Sequence, residues 1–104
     1  MATKIIKSYS LLVYGSPNGY QTNRAQIQLI DNKNKVVAWI RFNDPGQLFE
    51  KDYIKNEIIR MHLPSSMFGN IVDILRNEKP VYIYFVSGRA FLGTSAEPIG
   101  EEET

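Results

Sequence analysis

Two segments of alternating side chains, each doubled back by a turn, constrain the fold of this 104-residue chain more than any other feature. In the first, residues 24–30, small and aliphatic side chains alternate with arginine and glutamine. The turn-forming residues 31–34 then separate it from a second run at 35–42. Alternation of this kind places one set of side chains inside and the other in water. The pattern predicts an antiparallel hairpin with alanine, isoleucine and leucine at 25, 27 and 29 facing the core.

The register of this hairpin is predicted from its turn. With Asn32 and Lys33 at the centre, paired residue numbers sum to 65, and the apolar positions of the two strands coincide. A slip of one residue would oppose apolar to polar positions, so the register is well specified. The predicted pairs are Leu29 with Val36, Ile27 with Ala38, and Ala25 with Ile40.

The second doubled segment comprises residues 81–87 and 89–95, which turn at Ser87-Gly88. Its predicted pairs sum to 175, and both of its faces are apolar. A single helix covers only one of them. We therefore expect the stripe of Tyr82, Tyr84 and Phe91 to pack against the first strands in an internal core. The alternative is an interface with a second subunit, most simply in a homodimer.

The remaining segments complete an α+β fold. Residues 4–14 predict a long first strand whose odd positions are the more apolar, and 57–63 predict another strand. Residues 47–56 fit either a short helix or an irregular excursion. Residues 65–77 predict one amphipathic helix, capped by Ser65 or Ser66, with an apolar stripe of Phe68, Ile71, Val72 and Leu75. The expected fold is a curved antiparallel sheet of about six strands that tends towards a small barrel, in the order β-β-β-(α?)-β-α-β-β.

The charge distribution separates a basic body from an acidic end. Residues 1–96, expected to be a single globular domain, carry twelve basic and seven acidic side chains, whereas residues 97–104 carry four glutamates and are expected to form a flexible tail. A basic body favours anionic partners, and an acidic tail can compete for the same surface.

The polar side of the first hairpin supplies one candidate site. In the predicted register Arg24 lies opposite Arg41, beside a pair formed by Trp39 and Gln26, with Val37 on the same face. Two guanidiniums flanking an indole resemble the stacking and phosphate contacts of single-strand nucleic-acid binders. The structural alternative is favoured, because one aromatic ring is a thin platform. In that alternative Trp39 packs under the 47–56 segment or at a dimer interface, and the arginines pair with Asp44, Asp31 or Glu50.

Catalytic and metal sites have little support in the sequence. The chain has no cysteine, and His62, its one histidine, is expected at a surface or interface rather than in a catalytic pair. No spacing of acidic residues predicts a metal site, and no motif implies a cofactor. A small-molecule pocket or enzyme site near His62 remains a further alternative. The loop 15–23 offers Tyr20 and Asn23 as ligand contacts.

These features favour a non-enzymatic binding or assembly module that self-associates. The first alternative is a single-stranded nucleic-acid or polyanion binder that uses Arg24, Trp39 and Arg41. The N-terminal sequence has no signal-peptide pattern, and no apolar run approaches the roughly 20 residues that cross a bilayer. We expect a cytoplasmic protein with no membrane partner.

Overall fold

The computed structural model describes residues 2–15, 24–46 and 50–95. These residues form two sheets and one helix, so the predicted α+β class is confirmed. The elements are β1 (Ala2–Ile6), β2 (Ser8–Val13), β3 (Ala25–Ile30), β4 (Val36–Asn43), β5 (Tyr53–Lys55), β6 (Ile58–Pro64), a 3-10 turn (Ser65–Met67), α1 (Phe68–Asn77), β7 (Val81–Val86) and β8 (Arg89–Thr94).

The strands form a three-stranded sheet in the order β1-β7-β8 and a five-stranded sheet in the order β2-β3-β4-β6-β5. In the described residues the strands therefore number eight rather than about six, and the two sheets do not close into a barrel. An all-antiparallel arrangement is also wrong, because β4 and β6 pair in parallel. The chain between them passes through β5, which forms an antiparallel edge on β6.

The core lies between the two sheets and the helix. Ile27, Leu29 and Ile40 of the five-stranded sheet are fully buried there, and Ile83 of β7 and Ile71 of α1 belong to the same cluster. The predicted inward face of the first hairpin is therefore confirmed. Burial of such side chains contributes about 1.5–3 kcal/mol each relative to exposure, so this cluster stabilises the packing of the two sheets.

The register of the β3–β4 hairpin differs from the prediction by two residues along most of its length. Ile27 pairs with Ile40, and the pairing shifts after Leu29, which leaves Val37 buried rather than on the outer face. The cause is the turn. The Asp31 carboxylate accepts the backbone N–H groups of residues 33 and 35 at 2.9 Å each, and residue 34 adopts a positive φ of 67°. A shift of two residues preserves the inward face, which is why the burial prediction survives.

The β7–β8 hairpin matches its prediction. Its pairs sum to 175, and the turn residues Ser87 and Gly88 have φ of 52° and 77°. The expectation that Tyr82, Tyr84 and Phe91 pack internally is wrong. They lie on the side of the sheet away from the core, none belongs to the buried cluster, and Phe91 is 37% exposed.

The helical segment spans 65–77 as predicted, with its first turn in 3-10 form. Phe68 packs edge-on against Phe42, with ring centroids 5.1 Å apart, and Ile71 is buried. Neither serine caps the helix. Tertiary packing rather than a side-chain cap therefore holds the N-terminus.

The predicted first strand is two strands, divided at Lys7, and each half joins a different sheet. Its apolar odd positions are largely outside the core: Ile5 is 60% exposed and Val13 59%. Within the ambiguous 47–56 segment, the described residues include no helix. They form β5, which turns into β6 through two residues of positive φ, Asn56 and Glu57.

One polar side chain joins the two sheets. The Asp52 carboxylate accepts the backbone N–H of His62 in β6 at 2.8 Å and that of Ala90 in β8 at 3.2 Å. Because β5 pairs with β6 only as far as Arg60, this carboxylate accepts the N–H of a residue that lies beyond the end of that pairing.

Candidate ligand-binding face

The outer face of the five-stranded sheet brings together basic and aromatic side chains from three strands. Trp39 of β4 pairs in parallel with Arg60 of β6, and Arg41 pairs with His62. Tyr53 of β5 lies opposite Arg60 on its other side. We call Trp39, Arg41, Tyr53 and Arg60 the cationic sheet face.

The guanidinium groups of this face lie against its aromatic rings. The Arg60 Cζ atom is 4.5 Å from the centroid of the Trp39 ring, and the Arg41 Cζ atom is 5.2 Å from it. Arg60 also lies 5.7 Å from the Tyr53 ring. Contacts of this kind contribute about 0.5–1 kcal/mol each at exposed sites. They hold both arginines close to the sheet, with their charges side by side.

No carboxylate neutralises these arginines within the described residues. The ion pairs formed there involve Arg24 and His62, and neither Arg41 nor Arg60 takes part in one. The Nε atoms of Arg41 and Arg60 are buried and have no hydrogen-bond partner among the residues that the structure describes. Two uncompensated guanidiniums held against a sheet favour an anionic ligand, because charge-assisted bonds to phosphate or carboxylate are among the stronger hydrogen bonds.

Glutamines extend the face towards the sheet edge. Gln26 pairs with Arg41 and Gln28 with Trp39, so both amides lie on the same side as the arginines. Ser10 of β2 continues the row with a contact of 3.4 Å from its Oγ to Gln28 Oε1. On the β2–β3 side of the guanidiniums the surface is therefore polar but uncharged, and it can supply hydrogen bonds without repelling an anion.

Arg24 does not belong to this face as predicted. It donates to the Asp44 carboxylate at 2.9 and 2.7 Å and to the Tyr14 carbonyl at 2.8 Å. Gln26, not Arg24, lies opposite Arg41. The hydrogen bond from Arg24 lowers the pKa of Asp44 below its ordinary value, and the same contact raises the pKa of Arg24. Arg24 is thus a structural cation, as the alternative interpretation of the sequence proposed.

His62 is buried rather than exposed, which corrects the expectation of a surface histidine. Its Nε2 atom lies 3.3 Å from Glu50 Oε2, its Nδ1 atom lies 3.7 Å from Asp52 Oδ1, and its side chain is only 1% exposed. The ring stacks on Tyr53 with centroids 6.1 Å apart. No serine or threonine hydroxyl of the described residues forms a hydrogen bond to the imidazole.

The other predicted contacts fall elsewhere. Tyr20 and Asn23 lie outside the described residues, and so does the acidic segment 97–104. The outer side of the three-stranded sheet carries Tyr82, Tyr84 and Phe91, which we call the tyrosine sheet face. The Tyr84 and Phe91 rings are stacked with centroids 5.0 Å apart.

Sequence reasoning missed Arg60 and Tyr53. Arg60 shares the polar side of its predicted strand with His62, which is a usable signal. Its place beside Trp39 follows from the parallel pairing of β4 with β6, and parallel neighbours cannot be deduced from alternation within either strand. Tyr53 was hidden by the ambiguous pattern of its segment.

Neither a metal site nor a membrane-spanning helix accompanies this face in the described residues. In the part of the chain that the structure describes, no group of three or more histidine, cysteine or acidic side chains is arranged to hold a metal ion. No described helix combines the length and apolarity needed to span a membrane. Comparison with family models, curated proteins and solved structures finds no match to this chain.

Proposed function

We propose that this protein is a non-enzymatic binding module that takes an anionic ligand on the cationic sheet face, and that the ligand is single-stranded nucleic acid. The observation that carries the proposal is the pair Arg41 and Arg60, held against Trp39 with no carboxylate partner in the described residues. A cytoplasmic location belongs to the same proposal.

The form of the face favours a single strand over a compact anion. Guanidinium planes and aromatic rings both stack on bases, while guanidinium N–H groups bind the phosphates between them. The row from Ser10 to Tyr53 crosses all five strands of its sheet, so it is an extended surface rather than a pocket. The excess of basic over acidic side chains in residues 1–96 supports the same ligand.

The test is fluorescence anisotropy with a labelled oligothymidylate of about 12 nucleotides, a length within the usual single-strand site sizes. We expect saturable binding at low salt that weakens as salt rises. In the double variant Arg41→Gln, Arg60→Gln, the slope of log affinity against log salt should fall by about 1.4, or about 0.7 for each lost phosphate contact.

Arg89→Gln is the matched control, because it removes one exposed arginine from the other sheet. Its salt slope should equal that of the unmodified protein. Binding that is absent at low salt, or that survives unchanged in the double variant, would refute the proposal. Circular dichroism of each variant verifies that the fold is retained.

A second candidate function, self-association, is favoured by the tyrosine sheet face. β7 and β8 contain no acidic residue and only one basic residue, Arg89, yet they expose Phe91 beside Tyr84. On the neighbouring strand Ile5, opposite Tyr82, is 60% exposed. An aromatic face with a single charge, that of Arg89 at its end, is typical of protein interfaces, where tyrosine and phenylalanine are enriched.

A further inference from the structure

A groove lies where the end of α1 meets the junction of the two sheets. Its volume is about 780 Å³, and its floor is formed by Ile6, Tyr9, Leu75 and Val81. Val81 is buried and the other three are partly buried against the core. The floor is therefore apolar and continuous with the interior, which suits an aliphatic side chain rather than a fully polar ligand.

The rim of this groove is basic. Lys7, Arg76 and Lys79 line it and are exposed, whereas the one acidic residue that lines it within the described residues, Glu78, is half-buried. None of the three cations forms an ion pair in that part of the chain. An apolar floor with a basic rim is complementary to a peptide that carries an aliphatic residue among carboxylates.

The chain itself contains such a peptide. Residues 97–104 read Glu-Pro-Ile-Gly-Glu-Glu-Glu-Thr, which places Pro98 and Ile99 between one glutamate and three. This segment is the one charged motif of the sequence that the cationic sheet face does not explain.

Topology brings the start of this segment to the groove. Thr94, the last residue of β8, pairs with Val81, and Val81 lies in the groove floor. Paired strands lie about 4.8 Å apart. Residue 96 therefore follows two positions after Thr94, which neighbours the groove. The nine residues 96–104 span about 30 Å when extended, so the segment is long enough to enter the groove.

We propose that residues 97–104 bind in this groove of the same chain, with Ile99 on the apolar floor and the glutamates on the basic rim. The inference is independent of the cationic sheet face. It replaces the flexible tail expected from composition with a docked segment held by charge and by one aliphatic contact.

The experiment uses the full chain and a labelled synthetic peptide of residues 95–104. In the unmodified protein the groove is already occupied, so the peptide should bind weakly. In a full-length variant with glutamine at the four positions Glu97, Glu101, Glu102 and Glu103, the intramolecular competitor is weakened, and the peptide should bind at least tenfold more tightly.

Variants of the rim provide the specificity control. Adding Arg76→Glu and Lys79→Glu to the glutamine variant should lower the peptide affinity at least tenfold, because the charge of the rim is reversed. Adding Arg89→Glu, at the opposite end of β8, should change it less than twofold. Amide chemical shifts of Leu75 and Val81 should move in the glutamine variant even without peptide.

Three results would overturn the proposal. The first is equal peptide affinity for the unmodified protein and the glutamine variant, which is the behaviour of a free tail. The second is unchanged amide shifts at the groove. The third is concentration-dependent association that the glutamine substitutions abolish, which would assign the groove to the segment of a second copy.

Discussion

On the five-stranded sheet, the outer face carries two guanidiniums against an indole ring, whereas the outer face of the three-stranded sheet carries stacked tyrosine and phenylalanine rings. Both sheets present the same kind of inward side, formed by buried aliphatic residues. Alternation decides which side chains are inside, but it does not decide what the outside does. The first outer face offers two arginines without a carboxylate partner in the described residues, and the second offers aromatic surface with one arginine, Arg89, at its end. We therefore propose a different partner for each.

The largest effect we expect comes from the polar link between the sheets that carry these faces. Asp52→Ala leaves the backbone N–H groups of His62 and Ala90 without their acceptor. A donor left unsatisfied costs about 1–3 kcal/mol when it is buried, so we expect a loss of about 2 kcal/mol for these partly buried groups. Urea denaturation measures the free energy of unfolding.

Asp73→Ala, which removes an exposed carboxylate of α1, is the control and should cost less than about 0.5 kcal/mol. An equal cost for both variants would show that Asp52 does not join the sheets.

The next effect concerns the tyrosine sheet face. If this face mediates self-association, Phe91→Ser should raise the dissociation constant of the dimer about tenfold, equivalent to about 1.4 kcal/mol, because a central aromatic contact is lost. Sedimentation velocity over a concentration series makes the measurement. Ile54→Ser removes an apolar side chain that is 40% exposed on β5 and should leave association unchanged. A protein that stays monomeric at every concentration would remove the second candidate function.

The smallest effect defines the boundary of the cationic sheet face. Arg24→Gln should lower the free energy of unfolding only slightly, because the pair with Asp44 is partly exposed and screened by solvent. Oligonucleotide affinity should change less than twofold, since Arg24 is committed to Asp44 and to the Tyr14 carbonyl. A larger loss of oligonucleotide affinity would show that Arg24 takes part in binding.

The stability effect of Arg24→Gln should depend on pH. The Arg24 hydrogen bond lowers the pKa of Asp44 in the folded protein. The contribution of this hydrogen bond to the free energy of unfolding is therefore complete above the ordinary aspartate pKa of about 4. It is lost as the pH falls through the lower pKa of Asp44 in the folded protein. Thermal unfolding of both proteins from pH 7 to pH 2 should show a Tm difference that narrows at the acidic end. A difference that widens there would contradict the assignment.

Much of the fold could be predicted from local pattern. The inward residues of β3, the helix at 65–77 and the β7–β8 register follow from periodicity and turn chemistry. The β3–β4 register could not be predicted, because a side chain, Asp31, selects the length of the turn. Nor could the division at Lys7, since one continuous extended segment gives no sign that its halves join different sheets.

The candidate face was predictable only in part. Trp39 and Arg41 were identified because they share one strand and one parity. Arg60 lies beside them because β6 pairs in parallel with β4. Arg24 does not, because it binds the carboxylate of Asp44, which follows β4. Contacts that depend on the order of strands, or on which of several carboxylates lies nearest, require the tertiary structure. The burial of His62 is of the same kind, because it depends on Glu50, Asp52 and Tyr53 approaching from a segment with no clear pattern.

The central claim, that the ligand binds on the cationic sheet face, has a direct reporter because Trp39 is the only tryptophan of the chain. Titration with unlabelled oligothymidylate at low salt should change Trp39 emission saturably, with the same midpoint as the anisotropy titration. Binding by anisotropy with Trp39 emission unchanged throughout would contradict the claim and place the ligand elsewhere.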